Sequence, residues 1–228
     1  MKIGIIFAMK DEIDSFIDGL KVKNKYNIFE LVFYELDYYD KTLILVESGI
    51  GKVNAARTTQ ILIDNMKVDL IFNIGVAGGL DNSLKVLDIV IADSLIQHDF
   101  DITIFNHPKG YIPNIGTFIK CDDYLIQLAT KVSNKLNIGV KHGVIASGDI
   151  FVNDYLMSNK INKKFNAIAC EMEGASVAQV AYLSNVPFLV IRSISDVLGT
   201  DNKLTYEEFL DKSCKVVSNY LKEILKEL

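Results

Sequence analysis

Two kinds of apolar pattern alternate along this chain. Short apolar runs with the length and composition of β-strands predict strands over 2–8, 29–35, 42–47, 70–74, 88–92, 143–147, 167–170 and 188–193. Between them, apolar positions recur at helical spacing and predict helices over 11–20, 52–65, 122–135, 172–184 and 205–226. This alternation is typical of an α/β fold, and we expect a single-domain three-layer sandwich with a mixed central sheet flanked by helices.

Several predicted strands end in segments rich in glycine, small or polar residues. Ligand sites in sheets of this class lie at the carboxyl ends of the strands. Five such segments follow predicted strands: Ala8-Met9 with Glu12, Ser-Gly-Ile-Gly at 48–51, Gly-Val-Ala-Gly-Gly at 75–79, Ser-Gly-Asp at 147–149 and Ser-Ile-Ser-Asp at 193–196. We predict that they converge on one cavity.

Length and charge narrow the class of partner. A chain of 228 residues, half of them hydrophobic, can bury one full-sized core, and we expect one domain over 1–228. The net charge of −5 and the lack of a basic run argue against a nucleic acid or an anionic membrane surface as partner. No apolar run approaches the roughly 20 residues that a membrane helix needs. A small-molecule partner is therefore favoured.

The three cysteines and the first residues of the chain indicate a cytoplasmic location. The cysteines are widely spaced and form no CxxC or Cys/His pattern, so we expect neither a disulfide framework nor a metal site. The first apolar run is interrupted by charges at 10–12, too early for a signal peptide. The long irregular segment 98–117, which carries several apolar residues, is interpreted as a pocket wall or a dimer contact.

Charged residues stand out in the otherwise apolar stretch from 170 to 196. Glu171, Glu173, Arg192 and Asp196 lie there among small and apolar neighbours. A buried charge costs several kcal/mol unless it is paired or hydrogen-bonded, so these residues predict a catalytic or ligand-binding site. Arg192 is one of two arginines among 24 basic residues, which favours a position that needs a planar guanidinium.

Each candidate also has a purely structural interpretation. Glu12 is either an acid in the first helical turn or a cavity group. Asp196 is either a turn residue paired with Arg192 or a buried acid with a raised pKa that can donate a proton. The glycines at 75–79 indicate either a tight turn or close approach of a ligand. The glycine-containing segment 49–52 lacks the pattern of a phosphate-binding loop.

Taken together, these motifs resemble one known family. They are Ile5-Ile6-x-Ala8-Met9-x-x-Glu12, Ser-Gly-Ile-Gly-Lys-Val-Asn-Ala-Ala at 48–56, 75–79, Ser-Gly-Asp-x-Phe at 147–151, Glu-Met-Glu-Gly-Ala at 171–175 and Arg-Ser-Ile-Ser-Asp at 192–196. The chain resembles the 5′-methylthioadenosine/S-adenosylhomocysteine nucleosidases of the nucleoside phosphorylase-like superfamily over essentially its whole length. The resemblance implies hydrolysis of the N-glycosidic bond of adenine nucleosides, without a cofactor or a metal.

The resemblance also implies roles for single residues. Glu12 would activate water, Asp196 would protonate purine N7 and Glu173 would bind the ribose hydroxyls. The other substrate contacts it implies are Met9, Ile50, Val76, Ala77, Gly78, Phe151, Val152, Met172, Arg192, Ser195 and Tyr206. Ile102, Phe105 and Pro113 would reach the 5′ substituent from a second subunit, so a homodimer is implied.

Two departures from the family pattern affect substrate preference. Val76 replaces a frequent serine, and Tyr206 replaces a frequent phenylalanine near the 5′ end of the substrate. Relatives that hydrolyse 6-amino-6-deoxyfutalosine share the same signature, so that nucleoside remains an alternative substrate. A purine nucleoside phosphorylase and a catalytically silent nucleoside-binding protein remain alternative functions.

Overall fold

The computed structural model describes the backbone of residues 1–197 and 202–228, and the side chains of 1–197 and 206–228. The strands are Lys2–Phe7 (β1), Asn24–Ile28 (β2), Leu31–Tyr38 (β3), Lys41–Glu47 (β4), Leu70–Gly79 (β5), Ile89–Gln97 (β6), Ile119–Lys120 (β7), Val140–Ser147 (β8), Ala167–Glu171 (β9) and Phe188–Val197 (β10). The α-helices are Lys10–Ile17 (α1), Lys52–Asp64 (α2), Asp123–Leu136 (α3), Tyr155–Phe165 (α4), Gly174–Leu183 (α5) and Asn202–Glu227 (α6).

All ten strands belong to one mixed sheet that is partly closed. The strand order is β10-β6-β8-β9-β5-β1-β4-β3-β2, with β7 paired to β6, and β10 also pairs with β5. The strands β5, β9, β8, β6 and β10 therefore form a closed ring, while β1, β4, β3 and β2 extend from it as an open sheet. Closure removes two exposed strand edges.

The pairings bring the carboxyl ends of several strands to one place. β1 is parallel to β4 and β5, and β5 is parallel to β10, so these four strands end at the same edge. β9 is antiparallel to β5, but the pair consists only of Gly78 with Cys170 and Gly79 with Ala169. Because these residues lie at the ends of their strands, the carboxyl ends of β5 and β9 also meet.

Five of the six α-helices pack in two groups, and α4 packs against β9 and β8. α6 contacts β10 and β5 and packs against α1 and α3, whereas α2 packs against α5. The central strands between them are almost continuously buried, including every residue of β10 up to Asp196. The predicted α/β sandwich with a mixed sheet is confirmed. None of the described helices combines the length and the apolar character that crossing a bilayer would require.

The apolar pattern did not predict three elements of the structure, namely β2, the two-residue β7 and α4. Four of the five residues of β2 are exposed, so this edge strand has no buried face to produce an alternating pattern. α4 buries only Ser158, Ile161 and Phe165, which is too few apolar positions for a helical repeat to be detected. The predicted strand 29–35 begins later, at Leu31, because the two residues before it form a turn with positive φ.

The glycine segment 75–79 and the segment 193–196 are parts of strands, not turns after them. β5 continues to Gly79 and β10 continues to Val197 because the two strands pair with each other along this whole length. The prediction that both strands end earlier was wrong. The sequence does not indicate the extension, because glycine and serine have low strand propensity and only tertiary pairing stabilises them there.

Candidate active site

A cavity opens where the carboxyl ends of β1, β4, β5, β8, β9 and β10 meet. The residues that line it are Ala8, Met9, Glu12, Ile50, Val76, Ala77, Gly78, Ile150, Phe151, Val152, Cys170, Glu171, Met172, Glu173, Ser195, Asp196 and Tyr206. The predicted convergence is confirmed for four of the five segments. The fifth, 147–149, contributes through the three residues that follow it.

Glu12 is held by backbone groups of β5 and of the turn between β1 and α1. Its side chain folds back from α1, so that Oε2 accepts the N–H groups of Ala8 (2.8 Å) and Met9 (3.1 Å) and Oε1 accepts that of Val76 (3.0 Å). The residue is 3% exposed. Burial raises the pKa of the Glu12 carboxyl, although the Arg192 charge and the three hydrogen bonds act in the opposite direction.

Asp196 reaches the cavity through an irregularity in β10. The register between β5 and β10 shifts between Ile194 and Asp196. Successive side chains of a regular strand point to opposite faces, whereas a bulge re-aims them, so Ser195 and Asp196 both line the cavity. The Ser195 hydroxyl donates to Asp196 Oδ1 at 2.9 Å. Burial raises the pKa of the Asp196 carboxyl, and the bond from Ser195 only partly opposes this.

Glu173 and Glu171 point in different directions, as their spacing of two residues predicts. Glu173 Oε1 accepts the backbone N–H of Gly51 at 2.8 Å. Burial first, and the neighbouring Glu171 charge second, raise the pKa of Glu173 to about 8. Glu171 instead accepts the N–H groups of Glu173 (3.1 Å) and Gly174 (2.8 Å) and so stabilises the start of α5.

Arg192 lies behind the cavity and does not line it. Its guanidinium is buried, forms an ion pair with Glu171 and donates to the Asn73 carbonyl at 3.0 Å. Ser147 donates to the same Glu171 carboxylate. The expected direct contact between Arg192 and substrate is therefore not supported, because these buried acceptors already bind its N–H groups. Its charge acts on the cavity through Glu12, whose pKa it lowers.

Apolar side chains form the other walls of the cavity. The Tyr206 hydroxyl lies 3.3 Å from the Met9 sulfur, and the Tyr206 ring contacts Phe151 edge to face with centroids 5.7 Å apart. Ile50 and Phe151 remain about half exposed at the mouth. Flat, apolar walls of this kind suit a ring system and a sugar, while the carboxyl groups supply the polar contacts.

Ile102, Phe105 and Pro113 do not line the cavity of their own chain. Phe105 ends a short 3₁₀ helix, Thr103–Phe105, and its side chain is 71% exposed. An exposed phenylalanine is consistent with contact to a second subunit, which stays a prediction. The sequence interpretation did not identify Ile150 and Cys170 as lining residues, although each is adjacent to a residue that it did identify.

Comparisons with known proteins identify the family and agree with the fold. Residues 2–228 match the family model described as the phosphorylase superfamily. A 5′-methylthioadenosine/S-adenosylhomocysteine nucleosidase of Bacillus licheniformis is 40% identical over 230 residues, and an aminodeoxyfutalosine nucleosidase of Campylobacter jejuni is 38% identical over 228 residues; each match covers 100% of both chains. A crystal structure of the Helicobacter pylori 5′-methylthioadenosine/S-adenosylhomocysteine nucleosidase with butyl-thio-DADMe-Immucillin-A is 39% identical and superimposes with a TM-score of 0.97, covering 100% of this chain and 99% of that one.

Proposed function

This chain belongs to the phosphorylase superfamily, and from that premise we propose that it is a nucleosidase that hydrolyses the N-glycosidic bond of adenine nucleosides. The products are adenine and the 5′-substituted ribose. The substrates are 5′-methylthioadenosine, S-adenosylhomocysteine and 5′-deoxyadenosine, with 6-amino-6-deoxyfutalosine as a further substrate whose base is released in the same way. The observation that carries the proposal is one cavity lined by three buried carboxyl groups with raised pKa values.

Asp196 is the general acid of the proposed reaction. A purine leaves as a poor anion unless it is protonated as the glycosidic bond breaks, and an ordinary aspartate is ionised at neutral pH. Burial raises the pKa of Asp196, which keeps the proton available at higher pH. Its proton passes to N7 of the purine, and the Ser195 hydroxyl orients the carboxylate that remains.

Glu12 is the general base. The departing purine leaves an oxocarbenium-like sugar, which water attacks, and a carboxylate must take up the proton of that water. The backbone bonds from Ala8, Met9 and Val76 orient the Glu12 carboxylate and support its ionised form. Arg192 acts as a remote charge that favours the same form.

Glu173 binds the ribose hydroxyls. Hydroxyl donors favour an ionised acceptor, so substrate binding lowers the raised pKa of Glu173 and leaves a negative charge beside the developing cation. Met9 and Met172 flank the sugar. The base stacks against Phe151 and meets the backbone at Val152, while Ala77 and Gly78 line the pocket.

The 5′ substituent lies between Ile50 and Tyr206 in this proposal. Ile102, Phe105 and Pro113 of a second subunit enclose its outer end, so the active form is a homodimer. The exposed Phe105 side chain and the open, apolar mouth of the cavity support this arrangement. A cytoplasmic location stays a prediction.

Water, not phosphate, is the nucleophile. Among the described residues that line the cavity, none is basic and four carry a carboxyl group. Arg192 is paired with Glu171, and Arg57 is exposed and donates to the Phe29 carbonyl. A phosphate dianion would enter this cavity without a cationic partner, which costs far more than the entry of water.

Adenine release in phosphate-free buffer tests the proposal. We expect turnover of 5′-methylthioadenosine, S-adenosylhomocysteine, 5′-deoxyadenosine and aminodeoxyfutalosine without phosphate, with the rates ranked by the 5′ substituent. Strict dependence of the release on added phosphate would show a phosphorylase instead. Saturable binding without turnover at high protein concentration would show a silent nucleoside-binding protein.

A further inference from the structure

Two loops from distant parts of the sequence meet beside the cavity. The loop before α2 contributes Ile50 to the cavity wall, and the loop after β8 contributes Phe151. The backbone of the first loop takes a conformation that favours glycine, because Gly49 and Gly51 have φ values of 81° and 100°. Such a loop needs contacts from outside to keep one conformation.

Asp149 supplies one of these contacts. Gly51 occupies the N-cap position of α2 and has no side chain with which to cap the helix. Asp149 Oδ1 instead accepts the N–H of Lys52, the first residue of α2, at 2.8 Å. A Cβ atom on Gly51 would lie 3.1 Å from the same oxygen, so the glycine also makes room for this cap.

Asp149 is itself fixed by a ring of polar contacts. Its N–H donates to Asp99 Oδ2 at 3.0 Å. The Lys52 ammonium donates to Asp99 Oδ1 at 2.7 Å and to Gln97 Oε1 at 3.1 Å. Lys52 therefore contacts Asp149 through its backbone and Asp99 through its side chain. The ring connects the ends of β6 and β8 to the start of α2.

The same helix start orients a group of the proposed active site. Gly51 directly precedes Lys52, the residue whose N–H is bound by Asp149. The N–H of Gly51 donates to Glu173 Oε1 at 2.8 Å. This is the backbone hydrogen bond that favours the ionised form of Glu173. A shift of the helix start would move this donor and with it the carboxylate.

We propose that Asp149 is a positioning residue that caps α2 from outside and thereby places the Gly51 amide against Glu173. Asp149 acts through the backbone and does not touch the reacting atoms. The inference rests on the proposed function, in which Glu173 binds the ribose.

Three variants test this role, with kcat/KM for 5′-methylthioadenosine as the measurement. Asp149→Ala removes the cap and is expected to lower kcat/KM about tenfold. Asp149→Asn keeps an oxygen that accepts the Lys52 N–H, so it is expected to stay within about twofold of the wild type. Asp122→Ala is the matched control, because Asp122 is the N-cap residue of α3, accepts the Leu125 N–H at 3.0 Å and does not line the cavity. It is expected to lower the melting temperature and leave kcat/KM unchanged.

A double-mutant cycle distinguishes positioning from general loosening of the fold. If Asp149 acts through Glu173, then Asp149→Ala lowers kcat/KM less than about twofold in a Glu173→Ala background, in which the Gly51 N–H has no side-chain acceptor left to position. A full tenfold loss in that background, an equal loss in Asp149→Asn, or wild-type activity of Asp149→Ala would overturn the inference and leave the proposed function intact. Absence of adenine release from the wild type would overturn the proposed function and this inference with it.

Discussion

Glu12 and Asp196 each lie where a neighbouring strand carries glycine. A Cβ atom on Gly75 would lie 2.3 Å from Glu12 Oε1, and one on Gly78 would lie 3.2 Å from Asp196 Oδ2. The glycines of β5 therefore provide space for the two carboxyl groups. The sequence interpretation attributed them to a turn or to contact with a ligand, and neither account included room for a buried acid.

We predict that Asp196→Asn abolishes hydrolysis and leaves the fold intact. The amide has nearly the same shape and can accept the Ser195 hydroxyl bond, but it cannot transfer a proton to the leaving purine. The expected loss in kcat is roughly 100-fold or more. Adenine release measures the loss, and the melting temperature serves as the control for folding. Turnover close to that of the wild type would exclude Asp196 as the acid.

We predict that Gly75→Ala inactivates the protein through Glu12. The added methyl group overlaps the position of Glu12 Oε1, so this carboxylate must leave its three backbone donors. We expect kcat/KM to fall by roughly 100-fold because the base is displaced. Gly139→Ala is the matched control, since its methyl group would meet no atom within 4 Å. Equal kinetics for the two variants would contradict this account.

At the scale of elements, one buried ion pair joins β9, β10 and α5. Glu171 ends β9 and accepts two N–H groups at the start of α5, and Arg192 in the middle of β10 neutralises it. The sequence interpretation identified both residues as buried charges that need a partner. The substrate contact of Arg192 was implied only by the family resemblance, and its pairing with Glu171 was not predicted, because partners that are 21 residues apart in sequence are recognised only when the strands are placed.

We predict that Arg192→Met destabilises the protein more than removal of both charges does. The single variant leaves Glu171 buried without its cation, which costs about 3–5 kcal/mol. The double variant Glu171→Gln/Arg192→Met carries no unpaired charge, and we expect it to recover a large part of that loss. Urea unfolding at neutral pH gives the free energy of unfolding of each. A cost below about 1 kcal/mol for the single variant would contradict a buried pair.

At the scale of the whole molecule, several acidic side chains lie together in one cavity, although the net charge of the protein is only −5. Burial raises the pKa of Glu12, Glu173 and Asp196, so each of them binds its proton more tightly in the folded than in the unfolded chain. Their contribution to stability is complete below the ordinary carboxyl pKa of about 4.3 and is lost as pH rises through the folded value. A functional site of this kind therefore reduces stability at neutral and alkaline pH.

We predict that Glu173→Gln weakens the loss of stability between pH 6 and pH 9. Glu173 has a folded pKa of about 8, so up to about pH 8 the folded chain retains a proton that the unfolded chain has already released, and stability falls as pH rises. The amide does not titrate, and the melting temperature of the variant is expected to fall by a few degrees less than that of the wild type. Calorimetry at the two pH values measures the difference. Parallel curves would show that Glu173 is ionised throughout.

The α/β class, the order of eight of the ten strands and five of the six α-helices, and the acids that need an explanation were determined by the sequence alone. These properties depend on local periodicity and on the cost of placing a charge among apolar neighbours, both of which act within a short stretch of chain. β2 and α4 were missed because they bury too few apolar side chains to produce such a pattern.

Tertiary structure alone decided which groups surround those acids. The pairing of β5 with β10 turns two predicted loops into strand, and the bulge beside Ser195 aims Asp196 into the cavity. Arg192 takes Glu171 as its partner, and Asp149 caps a helix that begins 97 residues earlier. Such contacts depend on which strand lies next to which, and no local preference of the chain specifies that arrangement.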